Sequence, residues 1–204
     1  SNAWDDDKGC VYIPPAHSDL NTTCAPWANG YITELRAQGI MVGYGNDQFK
    51  PCQFVTRAEM LKLAMAAAGE GAYECSGNTC PKFFPDLFNW QKPWVSQAYM
   101  LEVVEGYPNG HLDKRIFHPN RWVTRAEATK MGLASFGVDP GEYNKSYFVD
   151  VVDWSKPWVE KARLLGIVKG IGGAYFDPSR PMMRAEAAKV VYLLKKYVEA
   201  LQEA

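Results

Sequence analysis

One sequence pattern occurs three times along the chain, and this repetition constrains the fold more than any other feature. In each copy a phenylalanine stands eight residues before an arginine, and the arginine begins the segment Arg-Ala-Glu. The three pairs are Phe49 and Arg57, Phe117 and Arg125, and Phe176 and Arg184. Units of this size bury their apolar faces only by packing on one another. We therefore expect one cooperative domain of three related lobes.

A second block precedes the first in every copy. An aspartate followed by a hydrophobic residue stands eight residues before the tryptophan of a Pro-Trp pair. The aspartates and tryptophans are Asp19 and Trp27, Asp86 and Trp94, and Asp150 and Trp158. Proline suits the first turn of a helix, where its missing N–H would have no partner. Each copy therefore predicts a first helix that opens at Pro-Trp, and Gly39, Gly106 and Gly166 are expected near the helix ends.

The second helix of each copy is predicted to begin at Thr-Arg-Ala-Glu. Thr56 and Thr124, each followed three residues later by glutamate, fit the capping box, in which threonine and glutamate satisfy each other's backbone N–H groups. Met183 replaces the threonine in the third copy, which weakens that cap by about 1 kcal/mol. The predicted fold class is all-α, with three helix-loop-helix repeats.

The connections between copies are rich in glycine and polar residues, and they define the predicted boundaries. Residues 1–3 resemble a remnant of tag cleavage, and 4–16 form an N-terminal segment. The repeats span 17–69, 83–137 and 147–197, with linkers at 70–82 and 138–146 and a C-terminal tail at 198–204.

The arginine at the start of each second helix is the most informative position. Helix N-termini attract anions, and a guanidinium fork matches a carboxylate or phosphate in two parallel bonds. Arg57, Arg125 and Arg184 therefore indicate a negative group opposite each of them. Two interpretations stay open: a bound anion, or an internal ion pair. The aspartates of the repeat (Asp19, Asp86 and Asp150) are the obvious internal partners.

Aromatic residues and glycines extend the candidate site. Trp27, Trp94 and Trp158 present faces that stack on the C–H face of sugar rings, although a repeated tryptophan equally suits the core. The loops contain Gly43-Tyr44, Gly106-Tyr107 and Gly170-Ile171. Glycine lets a backbone approach a ligand closely, and it also permits tight turns. Both explanations of the loop glycines stay open.

Several classes of function are disfavoured by composition and by motifs. The net charge is -1, from 22 basic and 23 acidic residues, so no bulk positive field attracts nucleic acid. No apolar run is long enough to insert into a membrane. The histidines lack metal-ligand spacing, and no GxSxG, HExxH or phosphate-binding glycine loop occurs. We expect no metal, no cofactor and no enzymatic activity in this segment.

The five cysteines have no CxxC pair, which argues against structural zinc. Cys75 and Cys80 bracket a short polar stretch, so they are candidates for a small disulfide loop. Cys10, Cys24 and Cys52 supply at most one further bridge and one spare thiol. The alternative is that all five are reduced packing residues. Disulfides are typical of proteins outside the cell.

Taken together, these motifs resemble a tandem S-layer homology region. The resemblance covers roughly residues 17 to 197 and rests on the Asp-hydrophobic start, the Trp-led helix, the Gly-Tyr loop and Thr-Arg-Ala-Glu. It implies a pseudo-threefold, spindle-like domain in which one helix of each repeat builds a central bundle. It also implies a secreted protein of the bacterial cell surface.

The same resemblance implies a function and assigns roles to residues. Such regions anchor surface proteins non-covalently by binding secondary cell-wall polysaccharides, often pyruvylated, in grooves between repeats. The arginines would meet the sugar carboxylate, the aspartates would occupy the acidic groove position, and Gly43, Gly106 and Gly170 would form the close-approach loop. Because Met183 and Ile171 depart from the motif, the groove that depends on Arg184 is expected to be the weakest. The alternative is a protein-interaction scaffold that assembles with other surface-layer subunits.

Overall fold

The computed structural model describes residues 19–20, 24–44, 46, 48–75, 79–110, 115–143 and 145–203, together with the backbone of two short N-terminal strands. The two strands, β1 (Ala3–Asp5) and β2 (Gly9–Val11), pair antiparallel. The side chain of Cys10, one of the three cysteines expected to supply one bridge and one spare thiol, lies outside the described residues, as does most of the predicted segment 4–16.

Over the described residues, six α-helices, two in each repeat, form the body of the fold, which agrees with the all-α prediction. They are α1 (Asn29–Ala37), α2 (Arg57–Ala67), α3 (Gln91–Met100), α4 (Arg125–Ser135), α5 (Lys156–Leu164) and α6 (Arg184–Gln202). A short hairpin, β3 (Tyr107–Pro108) with β4 (Arg115–Ile116), lies between α3 and α4. Because α6 continues to Gln202, most of the predicted tail is helical.

The second helices begin where the capping motif places them. Thr56 Oγ1 accepts a hydrogen bond from Glu59 N at 3.3 Å, and Glu59 Oε2 accepts from Thr56 N at 2.8 Å. Thr124 and Glu127 repeat the arrangement, which confirms both boxes. In the third copy Glu186 Oε2 still accepts from the cap amide at 3.0 Å, but Met183 has no hydroxyl to complete the box.

The first helices start differently from the Pro-Trp prediction. In the first and third repeats a 3-10 turn precedes the helix, at Pro26–Ala28 and Asp153–Ser155. In the second repeat α3 begins at Gln91, two residues before Pro93. The proline therefore occupies a different position relative to the start of each helix.

The helix-end glycines are partly confirmed. Gly39 and Gly166 follow α1 and α5 with φ of 68° and 72°, the left-handed conformation that glycine adopts without strain. After α3 the corresponding residue is Glu102, with φ of 59°. Gly106 lies four residues further along, in the next loop, so its assignment to a helix end is wrong.

The core is a central bundle of the three second helices. Helices α2, α4 and α6 each contact the other two, and alanines on them are fully buried. Small side chains let the backbones approach closely. Gly132 on α4 illustrates the fit, because a Cβ there would lie 3.0 Å from Leu194 Cδ1 on α6. Each first helix packs on the second helix of another repeat: α3 on α2, α5 on α4, and α1 on α6.

Backbone hydrogen bonds close the three repeats into a cycle at the helix N-termini. Val55 N donates to Met182 O, Val123 N to Val55 O, and Met182 N to Val123 O, each at 3.0 Å. Every repeat thus donates to one neighbour and accepts from the other. This order of contacts is compatible with a pseudo-threefold arrangement, which stays a prediction together with the spindle outline.

Two disulfides are present among the described cysteines. Cys75 and Cys80 close the predicted small loop, and Cys24 is bonded to Cys52, with which it shares the first repeat. The second bridge joins the segment before α1 to the segment before α2 across a sequence separation of 28. Cross-links over such spans stabilise mainly by restricting the unfolded chain.

Candidate functional site

The signature arginines reach from one repeat into the next. Each is the first residue of its helix, and its Nε donates to the carbonyl oxygen of a phenylalanine in another copy. Arg57 bonds Phe117 O at 2.8 Å, Arg125 bonds Phe176 O at 3.0 Å, and Arg184 bonds Phe49 O at 3.0 Å. Their exposures are 4%, 7% and 8%, so the guanidinium groups are buried between repeats rather than facing outward. Burial lowers the pKa of all three below the ordinary value.

The aspartates hold the same phenylalanine segments from the opposite side. Asp86 accepts from the amides of Phe117 and His118, and Asp150 accepts from those of Phe176 and Asp177. Asp19 likewise accepts from the Phe49 and Lys50 amides. The internal ion pairs of Arg57 and Arg125 are formed by glutamates instead, which corrects the expected Asp–Arg pairing. The aspartates thus position the carbonyls that the arginines bind.

Each arginine lies in the wall of a cleft between two repeats. We name the clefts after their arginines: the Arg57 cleft, the Arg125 cleft and the Arg184 cleft. Their volumes are about 240, 210 and 330 Å³, respectively. The Arg184 cleft, expected from the motif to be the weakest, is the largest of the three.

The predicted loop residues line these clefts. Gly43 and Tyr44 belong to the Arg184 cleft, Gly106 and Tyr107 to the Arg57 cleft, and Gly170 with Ile171 to the Arg125 cleft. The motif departure at Ile171 therefore affects the arginine of the second repeat, not that of the third. Arg57 and Arg184 each lie between two aromatic rings, whereas Arg125 faces one.

The protein's own packing accounts for two of the glycines. A Cβ on Gly106 would lie 2.9 Å from the Ile116 carbonyl oxygen and would collide with Phe84. A Cβ on Gly170 would lie 2.7 Å from the carbonyl oxygen of Tyr175. Tight internal packing thus explains why these positions need glycine, and it favours the turn interpretation for both.

The tryptophans that line the clefts are not all members of the Pro-Trp pairs. Trp27 lines the Arg125 cleft, but the walls of the other two clefts contain Trp154 and Trp90. These three side chains are 48%, 50% and 44% exposed, respectively, and Trp27 and Trp154 occupy the middle of equivalent 3-10 turns. Trp94 and Trp158 are half-buried against the core, as is Tyr31. The eight-residue spacing therefore misaligned the first copy by one helical turn.

A lysine that was not singled out from the sequence completes each cleft. Lys62, Lys130 and Lys189 line the Arg184, Arg57 and Arg125 clefts, and each ammonium lies 5.5 to 5.8 Å from a tryptophan ring centre. The sequence did contain a signal, because each lysine stands five residues after a signature arginine. Lysine over an aromatic face leaves a cation beside a stacking surface.

Glu127 occupies the Arg57 cleft with an internal carboxylate. Its ion-pair distance to Arg57 is 3.3 Å; Arg121 forms a second ion pair with it, and the Tyr107 hydroxyl donates to it. Burial would raise the pKa of Glu127. The Arg57 charge, the Tyr107 hydroxyl, the Thr124 amide and the Arg121 charge outweigh burial, so the pKa lies below the ordinary value.

The Arg125 cleft repeats this arrangement. Arg125 Nη1 donates to Glu186 Oε1 at 3.0 Å, and Arg180 Nη2 donates to the same oxygen at 2.6 Å. Burial again would raise the pKa of Glu186, but the bonds from Arg180 and the Met183 amide and the charge of Arg125 lower it overall. Each glutamate thus caps its own helix with one oxygen and holds two arginines.

The Arg184 cleft lacks this clamp, by which we mean one glutamate paired with two arginines. Gln53 stands where the other repeats have Arg121 and Arg180, and it donates to the Tyr44 hydroxyl at 3.3 Å. Arg184 donates to the carbonyl oxygens of Phe49 and Val42. Within the described part of the chain, no carboxylate oxygen lies within the 4.0 Å of an ion pair from Arg184.

In the described part of the chain, no group of three or more His, Cys, Asp or Glu side chains is arranged to hold a metal ion. Among the described helices, none has the combined length and apolarity that crossing a bilayer requires.

Comparison with protein families gives three matches to one model. The S-layer homology domain model matches residues 18–61, 83–129 and 147–188, which together cover more than half of the chain. The matched segments coincide with the three repeats and contain all three signature arginines.

Several relatives share this region at similar identity. An endoglucanase of Bacillus sp. (strain KSM-635) is 28% identical over 87% of this chain, and a surface layer protein of Brevibacillus choshinensis is 29% identical over 89%. An amylopullulanase of Thermoanaerobacterium thermosulfurigenes is 28% identical over 83%. The chain spans only 18%, 15% and 9% of the lengths of these three relatives.

Proposed function

Because the chain belongs to the S-layer homology domain family, we propose that a cleft between its repeats binds an anionic polysaccharide of the bacterial cell wall. The chain is an anchoring module of a secreted cell-surface protein. We also propose that it is held by secondary cell-wall polysaccharide carrying sugar carboxylates such as pyruvate ketals.

One observation carries this proposal: a buried guanidinium in the wall of a cleft that also presents an exposed indole and an ammonium. In the Arg184 cleft these groups are Arg184, Trp90 and Lys62. The guanidinium suits a carboxylate, and the indole face suits the apolar face of a sugar ring. A chain of net charge -1 has no bulk field for anions, so placed donors of this kind are what an acidic glycan requires.

We further propose that the chain does not catalyse a reaction. The same region occurs in an endoglucanase, an amylopullulanase and a surface layer protein, whose names imply different activities. A segment common to all of them fits a shared attachment role better than any one of these chemistries. The repeated glutamates are also clamped by arginines in two clefts, which suits them poorly to the unequal acid and base roles of glycoside hydrolysis.

Co-sedimentation with purified cell-wall polysaccharide tests the proposal. The protein is expected to sediment with the untreated polymer, and removal of its acidic ketals is expected to abolish sedimentation. A polymer whose carboxyl groups are esterified is the matched control, since it keeps the sugar rings but loses the charge. Sedimentation that survives both treatments would defeat the carboxylate interpretation. Self-association of the protein without any sugar, combined with no sedimentation, would favour the scaffold alternative.

A further inference from the structure

The three clefts share one framework but differ in how the arginine charge is balanced. In the Arg57 and Arg125 clefts a glutamate lies within ion-pair distance of the signature arginine, at 3.3 and 3.0 Å. In the Arg184 cleft the equivalent residue is Glu59, which accepts a bond from the Thr56 amide and forms no ion pair with any described residue. Glu59 also lines the Arg184 cleft, but only in the other two clefts does the internal carboxylate occupy the position beside the signature arginine where a ligand carboxylate would bind.

A second arginine fixes each of these internal carboxylates. Arg121 binds Glu127 and Arg180 binds Glu186, so the carboxylate is held from two directions. A ligand carboxylate entering either cleft must displace that glutamate or approach its negative charge at close range. Like charges in a buried site repel strongly, because little solvent screens them. Each glutamate therefore competes with a ligand carboxylate for the signature arginine.

Arg184, in contrast, forms no ion pair with a described residue. The residue is 8% exposed, and the partners of its guanidinium are carbonyl oxygens and the rings of Tyr44 and Phe49, at 4.7 and 4.6 Å. These dipoles and aromatic faces carry no opposite charge, and the carboxylates that act on Arg184, Glu59 and Asp19, lie beyond ion-pair distance. A buried cation without a close counter-ion is unfavourable. A ligand carboxylate would supply that counter-ion.

The surroundings of Arg184 reinforce this difference. Lys62 lines the same cleft, is exposed, and forms no ion pair with a described residue, whereas Lys130 in the Arg57 cleft is paired with Glu105 at 3.5 Å. Tyr44 provides the hydroxyl that the Arg125 cleft lacks. The Arg184 cleft also has the largest volume, about 330 Å³.

We infer that the Arg184 cleft is the principal anion-binding site, and that Glu127 and Glu186 keep the other two clefts closed to acidic ligands. The inference rests on the proposed function and adds which cleft is used and what blocks the others. It reverses the expectation from the sequence motif, which made the Arg184 groove the weakest.

The test uses the full chain and a monosaccharide carrying a pyruvate ketal, titrated by calorimetry, with the methyl ester of the ketal as the uncharged control. Arg184→Gln and Arg125→Gln form a matched pair, since both arginines are buried and both donate Nε to a phenylalanine carbonyl. Arg184→Gln is expected to weaken binding about tenfold or more, and Arg125→Gln less than about threefold. A larger loss in Arg125→Gln would overturn the inference.

A second pair of variants tests the closing role of the glutamates. Glu186→Gln keeps an oxygen for the Met183 amide but removes the competing charge, so the stoichiometry is expected to rise from one ketal per chain to two. Glu59→Gln removes a carboxylate that holds no arginine, and the stoichiometry is expected to stay at one. If Glu186→Gln leaves the stoichiometry at one, the proposed closing of the Arg125 cleft is wrong.

Surface variants keep the test valid if a buried arginine variant does not fold. Lys62→Gln is expected to weaken binding several-fold, whereas Lys130→Gln, in the closed Arg57 cleft, leaves it unchanged. Equal effects of the two would contradict the assignment of the site. Failure of the parent to bind the ketal at all would overturn the proposed function together with this inference. Binding that is lost only through Arg57 or Arg125 would overturn the inference alone.

Discussion

The clamp in the Arg57 cleft makes a measurable prediction about folding stability. Glu127→Gln changes one oxygen to an amide nitrogen and leaves the shape of the side chain almost unchanged. The amide oxygen still accepts from the Thr124 amide, so the helix cap remains. What disappears is the charge opposite Arg57, which is 4% exposed. The substitution therefore isolates the ion pair from the cap.

The magnitude follows from the burial of the pair. Removing one member of a buried ion pair destabilises a protein by about 3–5 kcal/mol, because it leaves the other charge uncompensated. The side chain of Arg121 is 45% exposed, so its share of the ion pairing contributes little. Since Tyr107 and the helix cap persist, we expect the lower end, about 3 kcal/mol of unfolding free energy at neutral pH. For a chain of this length that corresponds to roughly 6–12 °C in Tm.

Urea denaturation followed by circular dichroism gives the measurement, and Glu59→Gln is the matched control. Glu59 caps its helix in the same way but forms no ion pair with a described residue. We expect its replacement to change the unfolding free energy by less than about 0.5 kcal/mol. Comparable losses in the two variants would show that the negative charge at the helix cap, and not the arginine pair, is what Glu127 contributes.

The pH dependence of the same comparison provides an independent check. The pKa of Glu127 is lower in the folded state than its ordinary value, so its carboxylate stabilises the fold above the unfolded pKa, about 4.3. That stability is lost as the pH falls through the lower, folded pKa. The parent and Glu127→Gln should therefore converge in stability at acid pH. A difference that stays constant from neutral to acid pH would refute the electrostatic explanation.

Two further predictions concern the central bundle. Met183→Thr should raise the unfolding free energy by about 1 kcal/mol, because Met183 already has the φ and ψ of a cap, -78° and 155°, and lacks only the hydroxyl. Thermal melts measure the effect, with Thr124→Ala as the control that removes an existing cap. An unchanged Tm in Met183→Thr, alongside a lowered Tm in Thr124→Ala, would mean that another contact compensates in the third repeat. Gly132→Val should lower the unfolding free energy by about 1–3 kcal/mol, because a Cβ there would lie 3.0 Å from Leu194 Cδ1 on the neighbouring helix. Gly132→Ala should lose less, and an unchanged or raised stability of Gly132→Val would refute the packing explanation, since helix propensity alone favours both replacements over glycine.

The sequence alone determined that this fold consists of three helix-loop-helix units. Repeated spacing identified three units, and the threonine-glutamate pairs located the starts of α2 and α4, because a capping box is a local interaction readable from adjacent residues. The family and the cell-surface assignment also followed from the motifs. The first helices were placed less well, since Pro-Trp is displaced in one copy relative to the others.

Tertiary structure alone decided what the functional side chains contact. Arg57 meets a tyrosine and a glutamate 50 and 70 residues further along the chain, and the tryptophan of its cleft belongs to the third repeat. Local patterns describe neighbours in sequence, whereas these partners are neighbours only after three repeats close into a cycle. For the same reason, a motif departure in the third copy was assigned to the wrong cleft. Whether a buried arginine finds its counter-ion inside the protein or in a ligand is a property of the assembled interface.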